Sequence, residues 1–185
     1  MLLHVSTSAI LKRVAATNAR GESVSADIRE ERVLASVHRI LDDSVLCSMS
    51  TVTRDNRAHI NIAYVAYTDD LRLCFLSHPN ALHCRNLDSN PSMAVSVYRS
   101  PQDWIAPDCG LQLFGFCRVA TADECGSAAQ VYGRRFAQYS SWATSLAEAD
   151  AGREYQLFWF VAGELKLVDE REFGDGVFVT AIVQR

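Results

Sequence analysis

The chain has 185 residues and a formal net charge of −4, with 49% hydrophobic and 22% charged residues. These values are typical of a globular protein with one core, so one domain is favoured over two. The acidic balance, with no run of lysine or arginine, argues against a nucleic-acid partner. No segment approaches the roughly 18 apolar residues that a membrane helix needs. We therefore expect neither a nucleic-acid nor a membrane partner.

Six cysteines are scattered along the chain without a Cys-x-x-Cys pair. This spacing supports neither a zinc site nor a disulfide framework. The N-terminal stretch MLLHVSTSAILKRV lacks the continuous apolar block and the cleavage site of a signal peptide. The sequence therefore predicts a reduced, cytoplasmic protein.

The first half of the chain predicts one helix and three strands. Residues 1–26 show no periodic pattern and are predicted to be an N-terminal arm or a disordered leader, with the folded domain over 27–185. Asp27 and Glu30 have the spacing of a helix N-cap pair. Apolar residues at helical spacing predict a helix over 27–42, and a period of two then predicts strands at 44–53, 58–68 and 71–77.

The second half of the chain is predicted to contain further helices and strands. Pro79 opens a short helix that Asn90-Pro91 ends. Gly115, in the middle of a strand, indicates a bulge or a close approach by another group. The remaining predicted elements are strands at 92–100 and 111–121, a helix from Asp123 to about residue 141, a hairpin over 155–170 and a strand over 176–184.

Six or seven mostly antiparallel strands with three helical insertions leave sheet edges that must be covered or paired. Closing the sheet into a barrel removes those edges. The pattern therefore predicts an α+β domain, in which a small closed or half-closed antiparallel β-barrel carries flanking helices.

A polar segment, FLSHPNALHCRNL, follows the third predicted strand. It could form an anion cradle, because hydroxyl, imidazole and guanidinium donors converge there from Ser77, His78, His83, Arg85 and Asn86. The alternative is a solvated helical turn between strands. A metal site at His78 and His83 is disfavoured, because they are five residues apart and nothing nearby completes a ligand set.

Three further features are candidates for ligand contact. Asn61 and Ala63 leave room for a flat group against their strand, although a plain buried strand explains them too. Gln112 can hydrogen-bond the edge of a heterocycle, although half-exposed strand positions often carry glutamine. Trp104, Trp142 and Trp159 could stack on a ligand or anchor the core. No catalytic motif or acid–base pair is recognisable, so a cofactor is expected to carry any chemistry.

In their order and spacing, these elements resemble the pyridoxamine 5′-phosphate oxidase-like superfamily of FMN-binding split barrels over about residues 30–180. The stretch RDNRAHINIAYVAY is similar to the family's G-x-P-H-V-S-P-V-W. The segment FLSHPNALHCRNLDSNP is similar to its F-x-T/S-x-x-x-S-x-K-x-R-N-L-x-x-N-P. LQLFGFCRVAT resembles its x-Q-x-x-G-x-A strand, and GELKLVDEREFG its late hairpin.

The resemblance implies a homodimer with two FMN sites at the subunit interface and a small-molecule substrate. It places the flavin ring against one strand, the phosphate in the polar segment and one glutamine on a neighbouring strand. The residues implied are Asn61, Ile62, Ala63 and Tyr64 for the ring, Ser77, His78, His83 and Asn86 for the phosphate, and Gln112.

The chain departs from pyridoxamine phosphate oxidases proper at the positively charged positions. Asn61 and Ala66 stand where that enzyme's strand carries Arg and Lys, and Ala81-Leu82-His83 replaces its Ser-Arg-Lys. Its C-terminal substrate motif is missing. A neutral histidine in place of lysine loses a charge-assisted hydrogen bond of about 1.5–3 kcal/mol. These departures argue against vitamin B6 oxidation and predict a weaker hold on FMN.

Three functional hypotheses remain. The first is an FMN-dependent oxidoreductase with NAD(P)H as an electron donor, or a variant that uses a deazaflavin coenzyme. The second is a haem-binding or haem-degrading split barrel. The third is a non-catalytic flavin-binding module.

Overall fold

A computed structural model describes residues 8–148 and 155–185. Its strands form one antiparallel sheet in the order β1-β8-β7-β4-β3-β2-β5-β6, and a further pairing of β6 with β7 closes six of them into a barrel. The strands are β1 (Ile10–Thr17), β2 (Leu46–Val52), β3 (Ala58–Tyr67), β4 (Arg72–Ser77), β5 (Ser92–Tyr98), β6 (Cys109–Val119), β7 (Gln156–Asp169) and β8 (Phe178–Gln184). The helices are α1 (Glu30–Asp43), α2 (Leu82–Ser89), α3 (Cys125–Arg135), α4 (Tyr139–Glu148) and α5 (Glu170–Phe173).

The predicted fold class is confirmed: the domain is an α+β split barrel of six antiparallel strands, with two further strands and five helices. The barrel has six strands, within the expected six or seven, but β1 was not predicted, because its residues show no clear alternation. Residues 10–17, which the sequence assigned to an arm or leader, pair along β8 as part of the sheet. Residues 1–7 of that segment lie outside the described residues.

The inner side chains of the barrel strands form the main core. Met49, Phe75, Leu113 and Phe160 are each at most 1% exposed, and burial of a side chain of this size contributes about 1.5–3 kcal/mol. The apolar face of α1 joins the same core. Helix α2 packs against β2, β3 and β6, while α3 packs on the outside of β3, β4 and β7 over a second, smaller cluster.

The hairpin predicted over 155–170 is wrong, because this segment forms the single strand β7. It pairs with β6 along its length, while on its other edge β4 pairs with its first half and β8 with its second. Gly163 is the extra residue of a bulge in this strand: Phe114 pairs with Glu164 and Gly115 with Ala162. The bulge predicted at Gly115 is thus confirmed.

The predicted N-cap pair of α1 is also wrong. The helix begins one turn later, with Arg29 at its N-cap position and no capping side chain. The Asp27 carboxylate instead pairs with Arg29 and Arg32. Glu30 accepts a hydrogen bond from the Leu11 backbone N–H, 2.7 Å from Oε1, and so ties α1 to β1.

The long helix expected from Asp123 is divided into α3 and α4. Glu124, not Asp123, is the residue before α3. Helix α3 ends at Arg135, because the backbone of the next residue, Phe136, leaves the helical region (φ −120°, ψ 88°). The Phe136 ring packs against Tyr132 and Tyr64, with centroid separations of 4.7 and 5.6 Å. Among the described residues, no helix combines the length and apolarity needed to span a bilayer.

Candidate functional site between strands β3 and β4

The barrel is open between β3 and β4. Strand β3 pairs with β2 over residues 58–64, but with β4 only at Val65, Ala66 and Tyr67. In the part of the chain that the structure describes, no strand pairs with the other edge of residues 58–64. Backbone N–H and C=O groups on such an edge are available to a ligand or a partner.

The four residues expected beneath the flavin ring divide between the two faces of β3, because side chains alternate along a strand. Ile62 and Tyr64 lie on the outer face and are 66% and 56% exposed. Asn61 and Ala63 are half-buried on the inner face. Asn61 Nδ2 donates to the Ile62 carbonyl at 3.2 Å. A planar ring that contacts residues of both faces of β3 must therefore lie against the unpaired edge of the strand.

Ser77 and His83 come together as the sequence predicted. Ser77 Oγ lies 2.8 Å from His83 Nε2, and the His83 side chain is buried, with the Phe75 ring at a centroid distance of 6.3 Å. Burial, and then the neighbouring His59, lower the pKa of His83 below its usual value. The imidazole is therefore neutral at neutral pH and brings no fixed positive charge.

Asn86 and His78 have other neighbours. Asn86 Nδ2 donates to Thr51 Oγ1 at 3.0 Å in a buried contact that fastens α2 to β2. His78 Nδ1 accepts the Asn80 backbone N–H, and its ring packs edge-on against Tyr155 at 5.7 Å. The two histidines of the segment thus serve different contacts. Across residues 8–148 and 155–185, no group of three or more His, Cys, Asp or Glu side chains is arranged to hold a metal.

Two arginines line a cleft of about 530 Å³ beside α2. Arg85 projects from α2 and is exposed, and its side chain makes no hydrogen bond or ion pair with the described residues. Arg54, in the β2–β3 turn, donates from Nε to Ser89 Oγ at 2.9 Å. Sequence reasoning missed Arg54, because nothing local links the β2–β3 turn to α2. Asp55 and Asp88 also line the cleft and reduce its positive charge.

Gln112 lies apart from the other predicted residues within one chain. It is exposed on the outer face of β6, and register places it in one row with Ser96, Ser48 and Ile62 across β5, β2 and β3. Three strand spacings separate it from Ile62, about 14 Å. Within one chain it therefore lies on a strand that does not adjoin β3.

The outer face of these four strands is a shallow trough with apolar walls. Its floor consists of small side chains on β2 and β5, namely Ser48, Ser50, Ala94 and Ser96. Its walls are bulky and exposed: Ile60 and Ile62 on β3 are 69% and 66% exposed, and Phe116 on β6 is 64% exposed. Exposed apolar surface of this extent usually marks an interaction site.

Comparisons with known proteins agree with this fold. Residues 34–169 match the family described as pyridoxamine 5′-phosphate oxidase. No curated protein matches the sequence. The structure is similar to a heme-binding protein from Mycobacterium smegmatis (TM-score 0.65, 13% identity), and the match covers 84% of this chain but only 59% of that protein.

Two further solved structures are similar along most of their length. HutZ, a heme storage protein from Vibrio cholerae, has a TM-score of 0.56 at 16% identity, and the match covers 80% of this chain and 94% of that one. A Clostridium acetobutylicum protein related to general stress protein 26 has a TM-score of 0.59 at 9% identity, covering 85% and 96%. At these identities the structural likeness establishes the fold alone. Because the family match spans most of the barrel, the chain belongs to the pyridoxamine 5′-phosphate oxidase-like split-barrel family.

Proposed function

We propose that the chain binds FMN at the opening between β3 and β4 and acts as an FMN-dependent oxidoreductase on a small molecule. One observation carries the proposal: the unpaired edge of residues 58–64 in β3 lies next to α2, which carries a buried neutral histidine and borders an arginine-lined cleft. Such an edge offers backbone hydrogen bonds to a planar ring, and arginines offer paired donors to a phosphate.

The charged groups of the site are suited to FMN, although they differ from those of the family. Ser77 and His83 can give hydrogen bonds to a phosphate but no charge, since the pKa of His83 is lowered by burial. Arg54 and Arg85 supply the cationic groups that the family's Ser-Arg-Lys would provide. Because Asp55 and Asp88 stand in the same cleft, we expect FMN to be held less tightly than by an uninterrupted basic pocket.

When bound, FMN supplies hydride and electron transfer, with NAD(P)H proposed as the donor. The chain's own residues bind the cofactor and orient it. The open edge of β3 fixes the position of the ring, and the Ser77–His83 pair keeps one hydrogen-bond donor free, on His83 Nδ1 or on Ser77 Oγ according to the tautomer of the imidazole. A cytoplasmic location agrees with six cysteine thiols that are all free.

We also propose that two copies pair through the trough on the outer face of β3, β2, β5 and β6. A two-fold interface must be self-complementary, and a floor of small residues beside an Ile60–Ile62 wall suits insertion of the same wall from a partner. Such pairing would bring Gln112 of one chain toward β3 of the other, as the family resemblance implies.

A haem-binding function is the second candidate. His59 lies on β3 and His83 on α2, which packs against β3, and neutral imidazole is a common metal ligand. Haem propionates would suit the same arginine cleft. Two of the similar structures are haem proteins by name.

The absorption spectrum of the purified protein tests these proposals. Flavin bands, or their appearance on reconstitution with FMN, support the first; a Soret band after reconstitution with haem supports the second. A protein that takes up neither cofactor contradicts both. Anaerobic bleaching of bound FMN by NAD(P)H then distinguishes an oxidoreductase from a module that only holds flavin.

A further inference from the structure

A second polar pocket lies at the other end of the barrel. It is enclosed by the C-terminal half of α1, the loop between β5 and β6, and α5, with a volume of about 280 Å³. Strand β5 separates this pocket from α2. Its first residue, Ser92, follows α2, and its last, Tyr98, precedes the loop that lines the pocket. The pocket is therefore distinct from the opening between β3 and β4.

Three arginines line this pocket, one from each of its walls: Arg39 from α1, Arg99 from the loop and Arg171 from α5. Arg39 pairs with the buried Asp169, which is not part of the lining. Arg99 is loosely paired, with its Nη1 3.7 Å from the Asp43 carboxylate. The Arg171 side chain has no hydrogen-bond or ion-pair partner among the described residues.

The lining carries more positive than negative groups. Asp43 and Asp103 are its carboxylates, against three guanidinium groups. Arg39 is held by the buried Asp169 and also donates from Nη1 to Cys109 Sγ at 3.9 Å, so Arg171 is the guanidinium of the lining that has no fixed acceptor among the described residues. Guanidinium donors without fixed acceptors are the usual recognition elements for oxyanions.

The walls are held in place without a ligand. Gln102 donates from Nε2 to the carbonyls of Arg99 and Cys109, and its Oε1 accepts the Cys109 N–H. Glu170 Oε2 accepts the Asp108 N–H at 2.8 Å, and its Oε1 accepts the Gly176 N–H at 2.8 Å. Because the loop is fastened to itself and to α5, little ordering is required on binding.

We propose that this pocket binds a small phosphate-bearing anion, either inorganic phosphate or a small phosphate monoester. Its volume of about 280 Å³ lies just below the range of about 300–1,000 Å³ typical of ligand pockets, which suits a compact ligand. Ile40, Pro101 and Pro107 line the rest of the pocket and provide apolar surface for the organic part of a monoester.

Binding can be tested by calorimetry with inorganic phosphate and with glycerol 3-phosphate, at constant ionic strength because exposed charges are screened by salt. Arg171→Ala removes the unpaired guanidinium at an exposed position. We expect it to weaken binding about ten-fold or more, as for loss of a charge-assisted hydrogen bond. Arg20→Ala removes one charge from an exposed turn outside the pocket and is expected to bind as the wild type does.

The same titrations in an Arg85→Ala background separate this pocket from the cleft beside α2. Binding that survives Arg85→Ala and is weakened by Arg171→Ala supports the proposal, and the stronger of the two ligands identifies the source of the phosphate group. The proposal is overturned if the wild type shows no saturable binding of either probe. It is equally overturned if Arg171→Ala binds as tightly as Arg20→Ala, or if Arg85→Ala alone abolishes binding.

Discussion

Ser77 Oγ and His83 Nε2 form a 2.8 Å hydrogen bond that joins the end of β4 to the first turn of α2. The imidazole is only 7% exposed, and this burial lowers the pKa of His83 and favours its neutral form. This bond makes His83 both a structural residue and a candidate ligand contact. The two roles can be separated by substitution.

We predict that His83→Ala lowers the free energy of unfolding by about 1–3 kcal/mol, because Ser77 loses its partner and a cavity remains. His83→Gln keeps a side-chain amide near Ser77 and should cost less. Urea unfolding measures both. If FMN affinity is the same in His83→Ala and in the wild type, His83 has no part in holding the phosphate.

Stability should also depend on pH through His83. Its pKa is lowered in the folded state, so the unfolded chain takes up this proton first as the pH falls below about 6.5. The stability contribution is thus present above pH 6.5 and is lost as the pH falls through the folded pKa. Between pH 8 and pH 5 the wild type should lose more unfolding free energy than His83→Gln; parallel losses would contradict this.

The bulge between β6 and β7 gives a prediction about the barrel itself. A Cβ atom at Gly115 would lie 2.0 Å from the Val161 carbonyl oxygen, which belongs to backbone and cannot move aside cheaply. Gly115→Ala should therefore cost about 3 kcal/mol or more. Gly163→Ala, in the same bulge, meets only the Phe114 oxygen at 3.8 Å and should change stability by less than about 1 kcal/mol. Chemical denaturation of the two variants tests whether the loss of stability comes from the close approach at Gly115 or from any substitution in the bulge.

Gly115 and Gly163 also show how far the sequence could predict the fold. Gly115 was predicted to mark a bulge or a close approach, whereas the segment that contains Gly163 was predicted to be a hairpin. The difference depends on β6, which pairs past Gly163 and keeps the chain extended. A local pattern cannot report that partner. For the same reason β1 was missed, since pairing with β8 rather than its own alternation holds it in the sheet.

The candidate site was predictable only where its residues are close in sequence. Ser77 and His83 are six residues apart, and the polar segment alone suggested that they lie close together. Arg54 reaches α2 through tertiary packing of the β2–β3 turn, which no local signal indicates. The family resemblance placed Gln112 on a strand neighbouring the one that holds the flavin ring, but the strand order places β2 and β5 between β6 and β3.

If two chains pair through the outer trough, a substitution that disrupts this interface should lower the mass of the protein in solution. Ile62→Asp places a carboxylate at an apolar wall that is 66% exposed in one chain. Burying that charge without a partner should weaken association by about 100-fold or more. Ile10→Asp, on β1 away from the trough, is the matched control and should leave the mass unchanged. Sedimentation that gives a monomeric wild type, or equal masses for both variants, would contradict the proposed interface.

The arginine cleft beside α2 gives the most direct test of the FMN site. Arg85→Ala removes an exposed guanidinium that lines the cleft, whereas Arg57→Ala removes one from the same β2–β3 turn as Arg54 but outside the lining. If Arg85 contacts the phosphate, its loss should weaken FMN binding about ten-fold or more, and Arg57→Ala should bind FMN as the wild type does. Quenching of flavin fluorescence measures both dissociation constants, and riboflavin, which lacks the phosphate, should bind the wild type and Arg85→Ala equally. An equal effect of Arg85→Ala on FMN and riboflavin would mean that Arg85 supports the site without contacting the phosphate.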